Sequence, residues 1–243
     1  MIVCARAARY ARTMRRVLAL CLLPALAAPA AGCELALLLA VDVSGSVDAR
    51  EYAVQMQGLA EGLRDGVVTE ALVKGAAAVA LMQWTGSSRQ DLSIGWTRIE
   101  RPEDVEALAA RIGGLPRIWT EYSTAIGQAM TFGMGVFDRA PACRRRVMDI
   151  SSDGRSNEGT EPAEIRPAMD SLAIVVNALV IRGDDAELPD YFAGNVMTGA
   201  NAFVVTAESY DEYPERMRRK LRRETERPVS ALPAGAIPVR FRQ

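Results

Sequence analysis

One carboxylate and two hydroxyls follow an apolar segment near the start of the chain. The segment covers residues 35–41, and it leads directly into Asp42-x-Ser44-x-Ser46. A continuous apolar run of this length is typical of a strand that is buried on both faces of a parallel sheet. Because open α/β sheets bind their ligands at the carboxyl ends of the strands, we expect these three side chains at a ligand-binding edge.

Two further oxygen donors lie at comparable points later in the chain. Thr124 opens a predicted helix at about residues 124–137, and Asp153 follows a predicted strand at residues 146–151. Neighbouring parallel strands would bring these donors to the same edge as Asp42. Carboxylates and hydroxyls without sulfur or imidazole suit a hard cation such as Mg²⁺, Mn²⁺ or Ca²⁺. With few charged ligands, such an ion keeps water or accepts an anionic oxygen from a partner.

The elements that must position these side chains alternate between strands and helices. Strands are predicted at about residues 35–43, 77–84, 92–99, 146–151, 173–180 and 202–205. Helices are predicted at about residues 49–64, 101–112, 124–137, 162–172, 188–196 and 210–223, and Asp48 and Glu51 give the first of them a capping-box spacing. The turn at Gly86 is too short for a crossover, so the third strand should be antiparallel and at the edge. The pattern predicts a doubly wound α/β domain, with a mostly parallel six-stranded sheet and helices on both faces.

Composition excludes several classes of function. The 243 residues include no histidine, which excludes Ser-His-Asp hydrolases, Cys-His proteases and His-ligated zinc sites. Residues 1–32 hold five arginines and no acidic residue, so the remainder has 24 basic and 30 acidic residues and a net charge of −6. An acidic surface argues against a nucleic-acid partner.

The start of the chain has the pattern of a secretory signal. Arginines between residues 6 and 16 precede an apolar core at residues 17–26, and small residues follow. The core is short and is interrupted by Pro24, so it does not predict a membrane-spanning helix. We therefore predict export to the periplasm or the extracellular space. The predicted organisation is a signal peptide at residues 1–32, one domain at 33–226 and a C-terminal tail at 227–243.

Two cysteines remain after the predicted signal. Cys33 lies nine residues before Asp42, and Cys143 lies ten before Asp153. If the two strands are parallel neighbours, both sulfurs lie at the edge opposite to the oxygen donors, where an oxidising compartment permits a disulfide. The alternative is a lipid anchor on Cys33, because residues 30–33 have the small residues of a lipobox, without its usual leucine. We favour the disulfide.

The order of the three oxygen-bearing segments resembles the metal-ion-dependent adhesion site of von Willebrand factor type A (vWA) domains. Asp42, Ser44 and Ser46 match its D-x-S-x-S element, Thr124 matches its later threonine and Asp153 its later aspartate. The resemblance implies that these residues bind a metal, some directly and others through water. It also implies a Rossmann-like sheet with one antiparallel edge strand.

A narrower resemblance rests on two other segments. Residues 143–159 and 175–179 resemble the DUF1194 group of secreted bacterial proteins with this fold. The vWA resemblance covers roughly residues 34–225, which is nearly all of the predicted domain.

Ordinary structural roles compete with the metal site. Ser44 and Ser46 could satisfy a strand-to-helix turn, Thr124 could cap a helix, and Asp153 could belong to a simple turn. We favour the metal because these explanations need three separate coincidences.

Two other features of the sequence could also bind something. Asn157 and Glu158 lie near the same edge, either as a ligand-contacting rim or as a solvated loop, and we favour the loop. The basic run at residues 216–223 is interpreted as a solvated helix face, because Met217 and Leu221 give the helix a core face.

These features predict an exported, non-enzymatic protein-binding module. A Mg²⁺-like ion would accept a carboxylate from an acidic residue of a protein partner. One alternative is a metal-assisted hydrolase in which Asp42 is the nucleophile or the ion activates water, but Ser44 stands where aspartyl phosphatases have a second aspartate. Another is a structural domain with a vestigial metal site.

Overall fold

One six-stranded sheet organises the chain, whose residues 32–226 are described here from a computed structural model. The strands are β1 (Cys33–Asp42), β2 (Ala78–Trp84), β3 (Gln90–Arg98), β4 (Cys143–Ser152), β5 (Ile174–Ile181) and β6 (Val204–Ala207). Their order is β3-β2-β1-β4-β5-β6. The edge strand β3 is antiparallel to β2, and the other pairings are parallel. The predicted fold class is confirmed, whereas the predicted signal peptide and tail lie outside the described residues, apart from Gly32.

Helices cover both faces of this sheet. They are α1 (Ala49–Arg64), α2 (Gly66–Lys74), α3 (Pro102–Gly113), α4 (Ile126–Phe137), α5 (Pro162–Ser171), α6 (Leu188–Tyr191) and α7 (Tyr213–Thr225). A π-helical turn (Phe192–Val196) continues α6, and a 3₁₀ turn (Tyr210–Glu212) leads into α7. In the described part of the chain, no helix is both long enough and apolar enough to cross a bilayer.

The central strand β1 explains the apolar run that precedes the oxygen donors. Leu37 and Leu39 pack in the core beneath α1, α3 and α7. Leu38 and Ala40 pack in the core on the other face, beneath α4, α5 and α6. Successive side chains point to opposite faces of a strand, so β1 has to be apolar at every position until it reaches its carboxyl end.

The first helix begins at the predicted capping box. Asp48 accepts a hydrogen bond from the backbone N–H of Glu51 at 2.7 Å. The Glu51 carboxylate in turn accepts one from the backbone N–H of Asp48 at 2.7 Å. This reciprocal cap stops the loop after β1 at a fixed point, which leaves residues 43–47 to turn at the sheet edge.

The predicted disulfide is confirmed at the opposite edge of the sheet. Cys33 and Cys143 are register partners in the parallel β1–β4 pair. Their sulfurs are bonded, with the Cα atoms 4.4 Å apart. The bridge therefore ties the amino ends of the two strands whose carboxyl ends lead to Asp42 and Asp153.

Helix α2 is absent from the predicted elements. Its N-cap is Asp65, whose carboxylate accepts bonds from the backbone N–H groups of Val67 and Val68 at 3.1 and 3.3 Å. The helix has nine residues and starts at a glycine, and it buries only Val68 and Leu72. So short an apolar pattern gives little helical signal.

Two of the predicted elements begin two residues later in the structure. The predicted helix at 124–137 begins at Ile126, with Ala125 as its N-cap, so Thr124 does not cap it. The predicted strand at 202–205 runs instead from Val204 to Ala207. A buried Asn177 side chain accepts the backbone N–H of Phe203 at 2.8 Å, and this side-chain bond holds the chain before the strand begins.

The basic run on α7 is only partly a solvated face, so that interpretation is wrong at one position. Lys220 is fully buried, and it pairs with Asp149 of β4 and, at 2.7 Å, with Glu224. Asn177 donates two further bonds to Glu224. Burial pushes the pKa of Lys220 down, but the two carboxylates outweigh it and the pKa is raised. The amine therefore stays charged as an internal tie between α7 and the sheet.

Candidate functional site

Asp42 ends β1 with both carboxylate oxygens hydrogen-bonded and its side chain inaccessible to solvent. One oxygen accepts the backbone N–H of Ser44 at 2.7 Å. The other accepts the hydroxyl of Ser152, at the end of neighbouring β4, at 2.5 Å. The first turn of the loop thus folds back onto its own carboxylate, and the adjacent strand fixes the carboxylate from the side.

A chain of hydroxyls joins this loop to the loop that follows β4. The hydroxyl oxygens of Ser44 and Ser46 lie 3.3 Å apart. Ser46 donates to one oxygen of Asp153 at 2.6 Å, across 107 residues of sequence. Tyr210 donates to the other oxygen of Asp153 at 2.9 Å. The first and third predicted ligand segments are therefore in direct contact.

Thr124 is brought to the same place from the loop between α3 and α4. It is buried, and Asn157 binds both of its backbone groups: the side-chain oxygen accepts the Thr124 N–H and the Asn157 N–H donates to the Thr124 carbonyl, each at 2.9 Å. The Thr124 hydroxyl lies 3.6 Å from the point where a β-carbon would stand at Gly154. All five predicted donors thus lie on three adjoining loops, while their role as metal ligands stays a prediction.

The start of α4 closes tightly against the loop after β4. The Ser156 hydroxyl accepts the backbone N–H of Ile126 at 3.2 Å. A β-carbon at Gly127 would stand 2.0 Å from the Thr160 carbonyl oxygen, so only glycine permits this approach. The contact fixes the position of Thr124 just before the helix.

The buried carboxylate of Asp42 is electrostatically costly to ionise without a cation. Burial raises the pKa of Asp42 to about 7, and the nearby charge of Asp153 adds to the rise; hydrogen bonds from Ser152 and Ser44 oppose it. Burial likewise raises the pKa of Tyr210, which therefore stays a neutral donor to Asp153. A bound cation would relieve the cost of ionising Asp42.

The donor set fits a hard divalent cation. It consists of two carboxylates and three hydroxyls, and it contains no nitrogen or sulfur. Within residues 32–226, no group of three or more His, Cys, Asp or Glu side chains gathers as a metal site. A cation bound here would therefore need hydroxyl ligands beside the carboxylate pair, and Ser44, Ser46 and Thr124 carry such hydroxyls.

The two predicted rim residues brace the site from behind. Asn157 holds the backbone of Thr124, as described above. Glu158 accepts the hydroxyl of Ser87 in the β2–β3 turn, and that contact lowers its pKa. Contact of either residue with a ligand stays an untested alternative, and both side chains already have structural partners.

Four residues with a direct part in this geometry were not predicted. Ser152 and Tyr210 bond the two carboxylates, as described above. The carbonyl of Asp42 accepts from Gln55 at 3.3 Å, and Arg117 contacts the backbone of the same loop. Only Ser152 had a usable signal, because it stands at a strand end beside Asp153. The others come from a helix and from two later loops with no motif.

An open cleft lies beside Asp153. It has a volume of about 260 Å³ and is lined by residues that include Glu51, Arg182, Asp184 and Tyr210. The carboxylate side of the site is thus reachable from solvent, although Asp42 itself is buried.

Comparison with known proteins identifies the family. The family model of DUF1194, described as a protein of unknown function, matches residues 32–229. No curated protein matches the chain.

Similar solved structures share the fold. Proximal thread matrix protein 1 from the mussel byssus has a TM-score of 0.59 at 14% identity, over 81% of this chain and 48% of that one. A von Willebrand factor type A protein from Catenulispora acidiphila has a TM-score of 0.57 at 19% identity, over 79% of this chain and 43% of that one. The pilus adhesin SpaC from Lactobacillus rhamnosus GG, in its open conformation, has a TM-score of 0.57 at 15% identity, over 79% of this chain and 30% of that one. The chain spans less than half the length of each of these structures. It belongs to the DUF1194 family and has the fold of a vWA domain.

Proposed function

We propose that this protein is an exported, non-enzymatic binding module whose contact with a protein partner depends on a divalent cation. The cation would be held by side chains of the three adjoining loops: Asp42, Ser44, Ser46, Thr124 and Asp153. When bound, it supplies a Lewis-acidic centre that accepts an oxygen of an aspartate or glutamate from the partner. The protein's own side chains would hold the ion, and the cleft beside Asp153 would let the partner's carboxylate reach it.

The hydrogen bond from Ser46 to Asp153, at 2.6 Å, is the observation that carries this proposal. It joins the D-x-S-x-S loop to the later aspartate at the carboxyl edge of the sheet. The buried carboxylate of Asp42 lies in the same network, and its pKa of about 7 marks it as a group that gains from a neighbouring positive charge. Two acids and several hydroxyls, without histidine or lysine, favour binding over acid–base chemistry.

The identity of the ion follows from the donor set. Hydroxyl and carboxylate oxygens favour Mg²⁺, with Mn²⁺ or Ca²⁺ as alternatives. One structure of the mussel byssus protein has a zinc-occupied MIDAS motif, which supports a divalent ion in a domain of this fold. Another protein with the fold is a pilus adhesin, which supports a role in binding.

The chemistry of Cys33 supports export without a lipid anchor at that residue. Its sulfur is bonded to Cys143, and a thioether to lipid needs the same sulfur. Disulfides persist in oxidising compartments, so we propose the periplasm or the extracellular space as the site of action.

Calorimetric titration with Mg²⁺ and Mn²⁺, followed by capture of partners, tests the proposal. The mature protein should show one saturable event with each metal. Immobilised protein should retain a partner from the exported proteins of its source organism in Mg²⁺ but not in chelator. Asp42→Asn should abolish both metal binding and partner capture. Asp190→Asn, at an exposed position on α6, should change neither of them. Absence of metal binding at millimolar concentration would refute the proposal, and metal-dependent turnover of a phosphate ester would favour a hydrolase.

Metal affinity should depend on pH in the direction set by Asp42. Its pKa is about 7 in the metal-free fold, against 3.8 ordinarily. A cation that needs the ionised carboxylate must displace a proton below pH 7. Affinity for Mg²⁺ should therefore rise by up to about tenfold per pH unit between pH 5 and 7, and level off above. Titrations at pH 5.5, 6.5 and 7.5 test this, and equal affinities at the three values would contradict it.

A further inference from the structure

The backbone carbonyls of the D-x-S-x-S loop bind other protein groups. One guanidinium nitrogen of Arg117 donates to the carbonyl of Val43 at 3.1 Å and to that of Ser44 at 2.8 Å. The carbonyl of Asp42 accepts from Gln55. The carbonyl of Ser44 also accepts the backbone N–H of Val47 at 3.1 Å. Three successive carbonyl oxygens are therefore turned toward protein donors, and Arg117 contacts two of the three.

Arg117 is itself held firmly in place. The buried Gln83 side chain accepts from the backbone N–H of Ile118 at 3.3 Å and donates to the carbonyl of Pro116 at 3.0 Å, so it grips the chain on both sides of Arg117. Just before this, Tyr52 donates to the Leu115 carbonyl at 3.0 Å. A guanidinium fixed by its own backbone can hold the carbonyls that it contacts with little loss of entropy.

The surroundings of Arg117 are not those of an ordinary surface ion pair. Its side chain is half-buried, and within residues 32–226 no acidic side chain forms a salt bridge with it. Its Nε–H is buried and has no hydrogen-bond partner among the described residues. Burial of an unpaired N–H costs free energy, so the contacts with Val43 and Ser44 are the main gain from this placement.

We propose that Arg117 is a positioning residue for the metal site: it keeps the carbonyl oxygen of Val43 out of the coordination sphere and, together with the backbone N–H of Val47, that of Ser44. The inference rests on the proposed function. With the carbonyls held, only hydroxyl and carboxylate oxygens face the ion, and the number of donors stays small. A small donor number favours Mg²⁺ over Ca²⁺, because Ca²⁺ takes six to eight oxygens and often includes backbone carbonyls. It also leaves a coordination position for the partner's acidic group.

Arg117→Met removes the donors and keeps the aliphatic stem. Mg²⁺ affinity should fall by about tenfold, the range seen when a supporting residue behind a metal ligand is lost. Ca²⁺ affinity should fall less, so that the preference between the two ions moves toward Ca²⁺. Arg117→Lys, which keeps one donor group, should fall between wild type and Arg117→Met, and it gives a second reading if the methionine variant does not fold.

Arg145→Met is the matched control. Arg145 is another half-buried arginine whose guanidinium donates to backbone carbonyls, those of Glu224 at 2.9 Å and Glu226 at 3.4 Å, but it lies near the amino end of β4, at the edge opposite to the site. Its removal should leave both ion affinities unchanged. The unfolding midpoint in chelator, measured for every variant, separates a change at the site from a general loss of stability.

The outcomes of this experiment either support or overturn the inference about Arg117. A shifted preference toward Ca²⁺ with an intact unfolding midpoint supports the inference. Unchanged Mg²⁺ affinity in Arg117→Met overturns it, and so do parallel losses of Mg²⁺ and Ca²⁺ affinity that follow a loss of stability. If the wild-type protein binds neither ion, the proposed function fails first, and the inference falls with it.

Discussion

Replacing Asp42 with asparagine is expected to abolish metal binding and to stabilise the metal-free protein at pH 8. Mg²⁺ affinity should drop by at least about 100-fold, because the loss of a direct or water-linked anionic ligand exceeds the effect of losing a supporting residue. Stability should rise by about 2 kcal/mol, since an ionised carboxylate is costly to bury and the amide gives up only part of the hydrogen bonding to Ser44 and Ser152.

The pH dependence distinguishes this explanation from a general effect of the substitution. The raised pKa of Asp42, about 7, means that its contribution to metal-free stability is fully present below about pH 4 and is lost as the pH rises through 7. The gain in unfolding free energy that Asp42→Asn gives over wild type should therefore vanish at pH 4. Urea unfolding in chelator at the two pH values measures it, with Asp190→Asn as control. A variant that is less stable than wild type at pH 8 would contradict the electrostatic account of the site.

Removal of the disulfide is expected to cost about 4–5 kcal/mol of unfolding free energy. The bridge closes a loop of 110 residues, and a cross-link over a loop of this length restricts the unfolded chain by about that amount. The measurement is urea unfolding of the Cys33→Ser/Cys143→Ser double variant, compared with wild type before and after reduction. Reduced wild type should resemble the double variant.

The same variant also separates stability from function. The bridge lies at the amino ends of β1 and β4, and the proposed metal site lies at their carboxyl ends. Folded double variant should therefore bind Mg²⁺ with wild-type affinity. Two reactive thiols in the unreduced wild-type protein would contradict the bridge itself.

The sequence predicted the parts of the fold that repeat a simple physical rule. The apolar run in β1 packs in the cores on both faces of the sheet. Its successive side chains therefore have to be apolar, and the sequence shows this run directly. The spacing of Asp48 and Glu51 predicts the start of a helix. The register of β1 and β4 follows as well. Cys33 lies nine residues before Asp42 and Cys143 lies ten before Asp153, so the cysteines and the aspartates lie at opposite ends of neighbouring strands.

The parts that could not be predicted depend on contacts between distant segments. Lys220 looks like any other residue of a basic helix face, and only Asp149 and Glu224 make its burial possible. Arg117 has no motif of its own, since its contacts with the metal loop arise from the path of the α3–α4 loop. Tyr210 reaches Asp153 from beyond the last strand. Pairwise geometry of this kind is absent from periodicity and spacing.

The five oxygen-bearing side chains predict where a bound cation should lie. They lie on three adjoining segments at one edge of the sheet, and hard divalent ions bind oxygen at about 2.0–2.6 Å. Manganese gives an anomalous signal and has the same ligand preference as magnesium, so it reports the position of the ion directly.

The most direct measurement is anomalous diffraction, near the manganese absorption edge, from a crystal of the mature protein grown in Mn²⁺. We predict one strong peak enclosed by Asp42, Ser44, Ser46, Thr124 and Asp153, with at least one hydroxyl of the D-x-S-x-S loop in direct contact and one position open to solvent or filled by a carboxylate from a neighbouring molecule. No peak at this place in saturating Mn²⁺, or a peak held by other residues, would contradict the proposed metal-dependent function.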